Sequence, residues 1–187
     1  MMISVPLTVV WAESLYSGLG LSQIDMKTNF RKYRPSDEAS VIKCMERFGD
    51  YFVDLDPMKR TRRMPGYGEW FARKMIDDVG RNNGVIYVVE SERKIVGFIA
   101  GIILKQTEEE LLECIPTRAG EITELFIEEQ FRGQKIGTRL MDKIEEYFKQ
   151  NGCDVVRVEV FEPNVTAHNF YRKLGYRDRD IHMVKIL

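Results

Sequence analysis

Six residues, Arg132-Gly133-Gln134-Lys135-Ile136-Gly137, put two glycines and two cations immediately ahead of a helical pattern. Ile136, Leu140, Ile144 and Phe148 recur every fourth residue, with Met141 alongside, and mark one apolar helix face. Asn151-Gly152 supplies the stop signal. The first amides of a helix lack intrahelical partners, and the helix dipole adds partial positive charge there. Glycine lets an anion approach the backbone closely. The chemistry such a turn offers is a pyrophosphate cradle. A glycine-softened helix start satisfies the same pattern equally well. Two other phosphate cradles are excluded. A P-loop needs Lys then Ser/Thr after its last glycine, and Gly137 is followed by Thr138 and Arg139. A dinucleotide fingerprint needs Gly-x-Gly-x-x-Gly, which Gly133 and Gly137 do not supply.

The turn needs a strand before it and a sheet to hold it. Glu121–Ile127 reads as that strand, with Ile122, Leu125, Phe126 and Ile127 apolar, and Glu128–Phe131 connects it to the turn. After the helix, Cys153–Phe161 is strongly β-prone through Val155, Val156, Val158 and Val160, and Glu162-Pro163 ends it. Asn164 caps a further helix whose inner face is Ala167, Phe170, Tyr171 and Leu174, and Gly175 stops it. His168 falls on the exposed side of that helix. Arg177–Leu187, with Met183, Val184, Ile186 and Leu187, reads as the last strand.

Upstream, Phe30–Arg34 reads as the first strand, with Ser36 as N-cap of a helix carrying Val41, Ile42, Met45 and Phe48. Lys59–Arg63 is a basic run, read as a solvated loop or as a contact to an anionic group. A second helix, Glu69–Val79, carries Trp70, Phe71, Met75, Ile76 and Val79 as core residues. Val85–Glu90 and Ile95–Leu104 form a hairpin, and Gly97 and Gly101 in it point to a bulge or close packing. Glu108, Glu109, Glu110 and Glu113 lie in a polar excursion, either solvated or guiding a cationic amine. This order of elements predicts an α/β chain, a mixed sheet with helices on both faces.

The 187 residues suffice for one well-cored domain, taken as 26–187, behind an extension at 1–25. Met2–Ala12 is apolar but preceded by no Lys or Arg and too short to span a bilayer, so no membrane partner is expected. A net charge of −1 argues against bulk nucleic-acid binding. Cys44, Cys114 and Cys153, odd in number and widely spaced, point to reduced thiols in a cytoplasmic setting. With only His168 and His182 available, no His-based metal site is expected.

Two signatures in order resemble a known family. Leu125-Phe126-Ile127, an acidic loop and Arg132–Gly137 resemble the acetyl-CoA motif of the GNAT superfamily of N-acetyltransferases, Gln/Arg-x-x-Gly-x-Gly/Ala. Asn164 through Phe170-Tyr171 to Leu174-Gly175-Tyr176 resembles the second, in which an Asn opens a helix that carries Phe-Tyr and ends Leu-Gly-Tyr. One position departs: Lys135 stands where the motif has its first glycine, and Gly137 matches the second. The resemblance covers roughly Phe30 onward and implies a mostly antiparallel central sheet in which the parallel strands Glu121–Ile127 and Cys153–Phe161 splay apart.

The resemblance also implies chemistry. Acetyl-CoA would be the cofactor. Backbone of Leu125 and Ile127 would pair with its pantetheine, and Asn164 and the amides of Arg132, Gly133, Gln134, Lys135, Ile136, Gly137 and Thr138 would help to hold it. An amide near Phe126 would meet the carbonyl oxygen, and Tyr171 would protonate the leaving thiolate. Tyr51, Phe52, Tyr67 and Trp70 would be candidates for the wall of the acceptor site. A primary amine is mostly protonated at neutral pH, its pKa being about 10, so a base is needed. Glu121 and Glu124 are the candidates. Strict strand alternation puts them on opposite faces, so one alone would face the acceptor, and Glu124 is preferred. The implied function is acetyl transfer to a primary amine in a ternary complex, commonly by a homodimer. The alternatives are a non-catalytic acetyl-CoA sensor of the same fold, an acetyltransferase acting on aminoacyl-tRNA, and an unrelated nucleotide-binding α/β protein.

Overall fold

The computed structural model describes residues 28–186. The extension at 1–25 lies outside the described residues. Five strands form one sheet in chain order: β1 (Thr28–Lys32), β2 (Val85–Ser91), β3 (Lys94–Ile103), β4 (Ala119–Ile127) and β5 (Val155–Val158). The first four pair antiparallel, and β4 pairs with β5 in parallel. Helices α1 (Glu38–Leu55) and α2 (Tyr67–Arg81) follow β1, a single turn α3 (Glu110–Glu113) precedes β4, α4 (Ile136–Gln150) links β4 to β5, and α5 (Val165–Lys173) follows β5.

Two apolar clusters sandwich the sheet. On one face α4 presents the expected stripe of Ile136, Leu140, Met141, Ile144 and Phe148 to Ile99, Ile122, Leu125 and Ile127, and α5 adds Ala167 and Tyr171. On the other, α1 and α2 bring Val41, Met45, Phe48, Phe52, Ala72 and Met75 against Phe98, Ala100 and Phe126. Gly101 and Gly120 let the Phe148 ring lie close on the sheet: a Cβ on Gly120 would stand 2.4 Å from its Cγ, and one on Gly101 2.7 Å from its Cζ. Burying one such ring stabilises the fold by about 1.5–3 kcal/mol.

The structure departs from the sequence reading at four places. The 3-10 turn Pro35–Asp37 that leads into α1 is held by Asp37, whose carboxylate accepts from the Arg34 amide at 2.8 Å and from Arg31 at 2.7 and 2.9 Å; no side chain caps α1 itself, and Ser36 sits exposed in the turn. Trp70 is 59% exposed and outside the core, because the inner face of α2 is filled by Ala72 and Met75. The strand expected over Cys153–Phe161 is paired only over Val155–Val158, where β5 diverges from β4. Residues 177–186 form no strand, although the sequence pattern there is β-like.

Candidate active site

The register of β3 against β4 shifts between Ala100 and Gly101, with Ala100 opposite Glu124 and Gly101 opposite Ile122. Thr123 is therefore the extra residue of a β-bulge. Ile122 packs in the α4 cluster, so Glu121 beside it turns to the α1/α2 face. Beyond the bulge Leu125 and Ile127 lie on the α4 face, and Glu124 and Phe126 are turned to the α1/α2 face. The expectation that Glu121 and Glu124 oppose each other across the strand is thus corrected. The bulge cancels one step of the alternation, and both carboxylates share a face.

Glu124 is buried, and its Oε2 has no hydrogen-bond partner. Burial pushes its pKa up to about 7; the nearby Thr123 hydroxyl and Lys74 ammonium offset only part of the effect. Glu121 is raised as well, chiefly by burial, while the Arg157 guanidinium acts in the opposite direction. Lys74 and Asp78 belong to α2, which borders this site, and a groove including Gly66, Trp70, Lys74 and Asp78 runs along that helix. Tyr67 lies close enough for the charge of Glu124 to matter, and its phenol is pushed up to about 12, mainly by burial. Of the four acceptor-wall candidates, Tyr67 is the one whose phenol feels the Glu124 charge. Phe52 is packed in the core, Tyr51 lies near the Arg132 guanidinium at 5.5 Å, and Trp70 forms part of the outer groove.

The opening between the parallel strands exposes particular backbone groups. The Glu128 amide bonds to the Val96 carbonyl at 2.9 Å, on the β3 side. Peptide groups alternate along a strand, so Phe126 also faces β3, while Leu125 and Ile127 face the space from which β5 has turned away. The Phe126 amide belongs to the β3 ladder, and its ring fills the α1/α2 cluster. Its neighbours carry the open groups. The Ile127 carbonyl is engaged by Arg132 Nε at 3.0 Å, which ties the turn to the end of β4.

At the start of α4, the Arg132 amide bonds to the Glu129 carbonyl and the Arg139 amide to the Lys135 carbonyl, each at 3.1 Å. Between them, the amides of 133–138 find no backbone acceptor among the described residues. Gly133 and Lys135 both have positive φ, +75° and +59°, and no side chain caps the helix. The Lys135 departure from the motif now has a physical meaning, because a non-glycine residue there sits in the left-handed region that favours glycine. At the start of α5, by contrast, the buried Asn164 accepts from the Ala167 amide at 3.1 Å, as the sequence predicts.

Tyr171 is buried two turns along α5, between Phe170 and Tyr176 with centroids at 5.3 and 5.4 Å. Its hydroxyl has no hydrogen-bond partner, and burial holds its pKa well above the ordinary phenol value. A buried hydroxyl and a buried carboxyl, both unsatisfied, are costly to fold, and the Thr123 and Ser91 hydroxyls are buried without a partner as well. The sequence did not single out Thr123, the bulge residue. Its signal is the glycine opposite it on β3, Gly101.

Residues 44–176 match the acetyltransferase (GNAT) family. The chain belongs to this family. An N-acetyltransferase of Methanocaldococcus jannaschii is 30% identical over 141 residues, 75% of this chain and 54% of the relative. The chain thus spans about half the length of that relative. The aminoalkylphosphonate N-acetyltransferase of Salmonella typhimurium is 35% identical over 68 residues, 36% of this chain and 44% of the relative. An acetyltransferase from Clostridium acetobutylicum, solved with acetyl-CoA, superposes with a TM-score of 0.64 at 18% identity, covering 86% of this chain and 96% of its own. That superposition bears on the fold, which is the mixed sheet flanked by helices of GNAT proteins. No helix among the described residues is long and apolar enough to cross a membrane.

Proposed function

We propose that this GNAT chain transfers an acetyl group from acetyl-CoA to a primary amine by direct attack in a ternary complex. The observation that carries the reading is the pair of buried, unpartnered groups, Glu124 Oε2 and the Tyr171 hydroxyl, in a domain that also leaves the amides of 133–138 open. The cofactor fits these features. Open amides at a helix N-terminus suit a pyrophosphate. The outward peptide groups of Leu125 and Ile127 suit an extended pantetheine arm paired like an added strand. Bound there, the cofactor supplies an activated acetyl thioester.

The chain's own residues do the rest. Glu124, with a pKa of about 7, takes the proton from the acceptor ammonium near neutral pH, and half-buried Glu121 on the same face adds negative charge that attracts that cation. The Leu125 amide, open where that of Phe126 is not, would donate to the carbonyl oxygen of the bound thioester, with Ile127 left to the arm. The Tyr171 hydroxyl stays protonated at working pH and would hold the proton that a leaving thiolate needs. The named activity of the Salmonella relative supports a small-molecule primary amine as acceptor. The experiment is thiol release from acetyl-CoA in the presence of pooled primary amines, with and without enzyme. Amine-dependent release supports the reading. Binding of CoA without release by any pool would make the chain a non-catalytic cofactor-binding module, and no binding would remove the cofactor assignment.

A further inference from the structure

Helix α2 buries Ala72 and Met75 in the core and turns its opposite side outward. Gly66, Trp70, Arg73, Asp77 and Gly80 are all exposed, and their spacing of four, three, four and three puts them on one stripe. Two of them are out of place on a solvated helix. Trp70 is 59% exposed, with its ring packed edge-on against Phe71 at 4.7 Å between centroids. Large aromatic residues of this kind are what interfaces bury. Gly80 lies in the last turn of the helix, where glycine is destabilising relative to alanine. A Cβ built on it would meet nothing within 4 Å, so no contact among the described residues calls for glycine there. The missing side chain leaves room for another ring or backbone to come close.

The charges beside these two residues point to what comes close. Glu69, Arg73, Asp77 and Arg81 alternate in sign from turn to turn. Within the chain they make exposed pairs, Arg73 with Glu69 at 2.9 Å and Arg81 with Asp77 at 3.5 Å, and such pairs stabilise little. A second α2 laid antiparallel across the first, with the two residues 75 level, sets Arg73 of each copy opposite Asp77 of the other. The same register puts each Trp70 over the other copy's Gly80 and brings Arg81 beside that ring, where a guanidinium is attracted to the aromatic face. Lys74, next to the centre, keeps its own partner Asp78 at 2.5 Å. Parallel and in register, or antiparallel and slipped by one turn either way, the charges meet their own sign.

We propose that α2 packs antiparallel on α2 of a second copy of this chain, each Trp70 seated over the other's Gly80 and each Arg73 paired with the other's Asp77. The contact is isologous, so a two-fold axis at residue 75 closes the assembly. The groove along α2 is then the seam between two copies, and the buried Glu124 on the sheet is no part of it. The proposal stands independently of the acetyl-transfer reading.

The test uses the full chain. Light scattering over a concentration series should give twice the 21.9 kDa chain mass. Gly80→Leu fills the slot with a better helix former, and should bring the mass to that of one chain with circular dichroism retained. Arg73→Asp sets Asp against Asp77, and Asp77→Arg sets Arg against Arg73, so each of these chains alone should be monomeric. Mixed as differently tagged copies, the two have opposite charges at both positions. The mixture should regain the dimer mass, with one tag capturing the other. A wild-type chain that is monomeric throughout, as it would be with the extension at 1–25 covering this face, overturns the proposal. So does a dimer indifferent to Gly80→Leu or to the single charge swaps, or a mixture that forms no heterodimer. Should Gly80→Leu unfold, the charge-swap mixture alone decides.

Discussion

Helices α4 and α5 begin in opposite ways. At α5 the buried Asn164 side chain closes on the Ala167 amide and caps the helix. At α4 no side chain caps the helix, Lys135 is held at φ +59°, and the amides of 133–138 are left open. Helices α1 and α2 also lack a side-chain cap, and α4 differs from them in the two positive-φ residues, Gly133 and Lys135, just ahead of its first turn. The completed start fixes a rigid helix that carries Tyr171. The uncapped one has free donors, which the proposed reading gives to the cofactor's pyrophosphate. One helix aims a side chain, and the other offers its backbone.

The sharpest break comes from Tyr171→Phe. The ring and its packing against Phe170 and Tyr176 stay, and only the hydroxyl goes. Turnover should fall by about 10²–10⁴-fold, the usual cost of losing a general acid. CoA affinity by calorimetry should change by less than about threefold, since in this comparison α5 contributes chemistry and α4 contributes binding. A kcat near that of the wild type would return Tyr171 to a packing role.

Glu124→Gln tests the carboxyl with a stability readout. Its folded pKa of about 7 lies above the ordinary value of 4.5, so the folded state holds the proton more tightly than the unfolded chain does. The wild type therefore loses stability as pH rises from about 4.5 through 7, and below that window the carboxyl costs nothing. The Gln variant should be indistinguishable at pH 4 and more stable by up to about 3 kcal/mol at pH 8. With Glu124 as the proposed base, wild-type turnover should rise through pH 7, and the Gln variant should lose that rise. Equal stability at both pH values would mean that Glu124 is solvated.

Thr138→Glu places a carboxylate in the first turn of α4. With the helix dipole alone it should leave stability unchanged or raise it by about 0.3–1 kcal/mol. Against a bound pyrophosphate it should weaken CoA by roughly tenfold or more, as a like charge at contact distance does. The opposite signs separate the two roles of that helix end. Unaltered CoA affinity in the folded variant would move the phosphate site away from α4.

How much of this was readable in advance follows the range of the interactions. The stripe of α4 and the Asn164 cap are local patterns, and both stand as read. The bulge at Thr123 is not local. It depends on Gly101 across the ladder, where a Cβ would come within 2.7 Å of the Glu121 carbonyl and of Phe148, and no alternation within β4 records that. The result was the misplaced face of Glu121. Trp70 was misread because helical spacing shows which residues share a face but not where the core stops. Residues 177–186 have the composition of a strand, but pairing needs a neighbour that their own sequence does not name. Ser36 caps nothing because the chain enters α1 through a 3-10 turn, where the Asp37 carboxylate binds Arg31 and the Arg34 amide and no side chain caps the helix.

The last two changes are small and should differ in sign. Asn164→Ala removes the cap of α5 from a buried position and should cost about 1–2 kcal/mol, with turnover falling more than CoA binding as Tyr171 loses its aim. Lys135→Gly does the reverse at α4. A lysine in the left-handed region costs about 1–2 kcal/mol relative to a helical conformation. Glycine removes that cost but adds about 0.5–1 kcal/mol of unfolded-chain entropy. The net expectation is a gain of about 0.5–1 kcal/mol, or roughly 1–4 °C in Tm for a domain of this size. CoA affinity should hold if, as proposed, the amides and not the Lys135 side chain bind the anion. Loss of affinity with a gain in stability would show that the lysine ammonium is itself a ligand, and the departure from the motif would then be a substitution of charge for close backbone approach. Loss of stability would mean that the strain at Lys135 is offset by contacts of its side chain, and the contrast between the two helix starts would rest on capping alone.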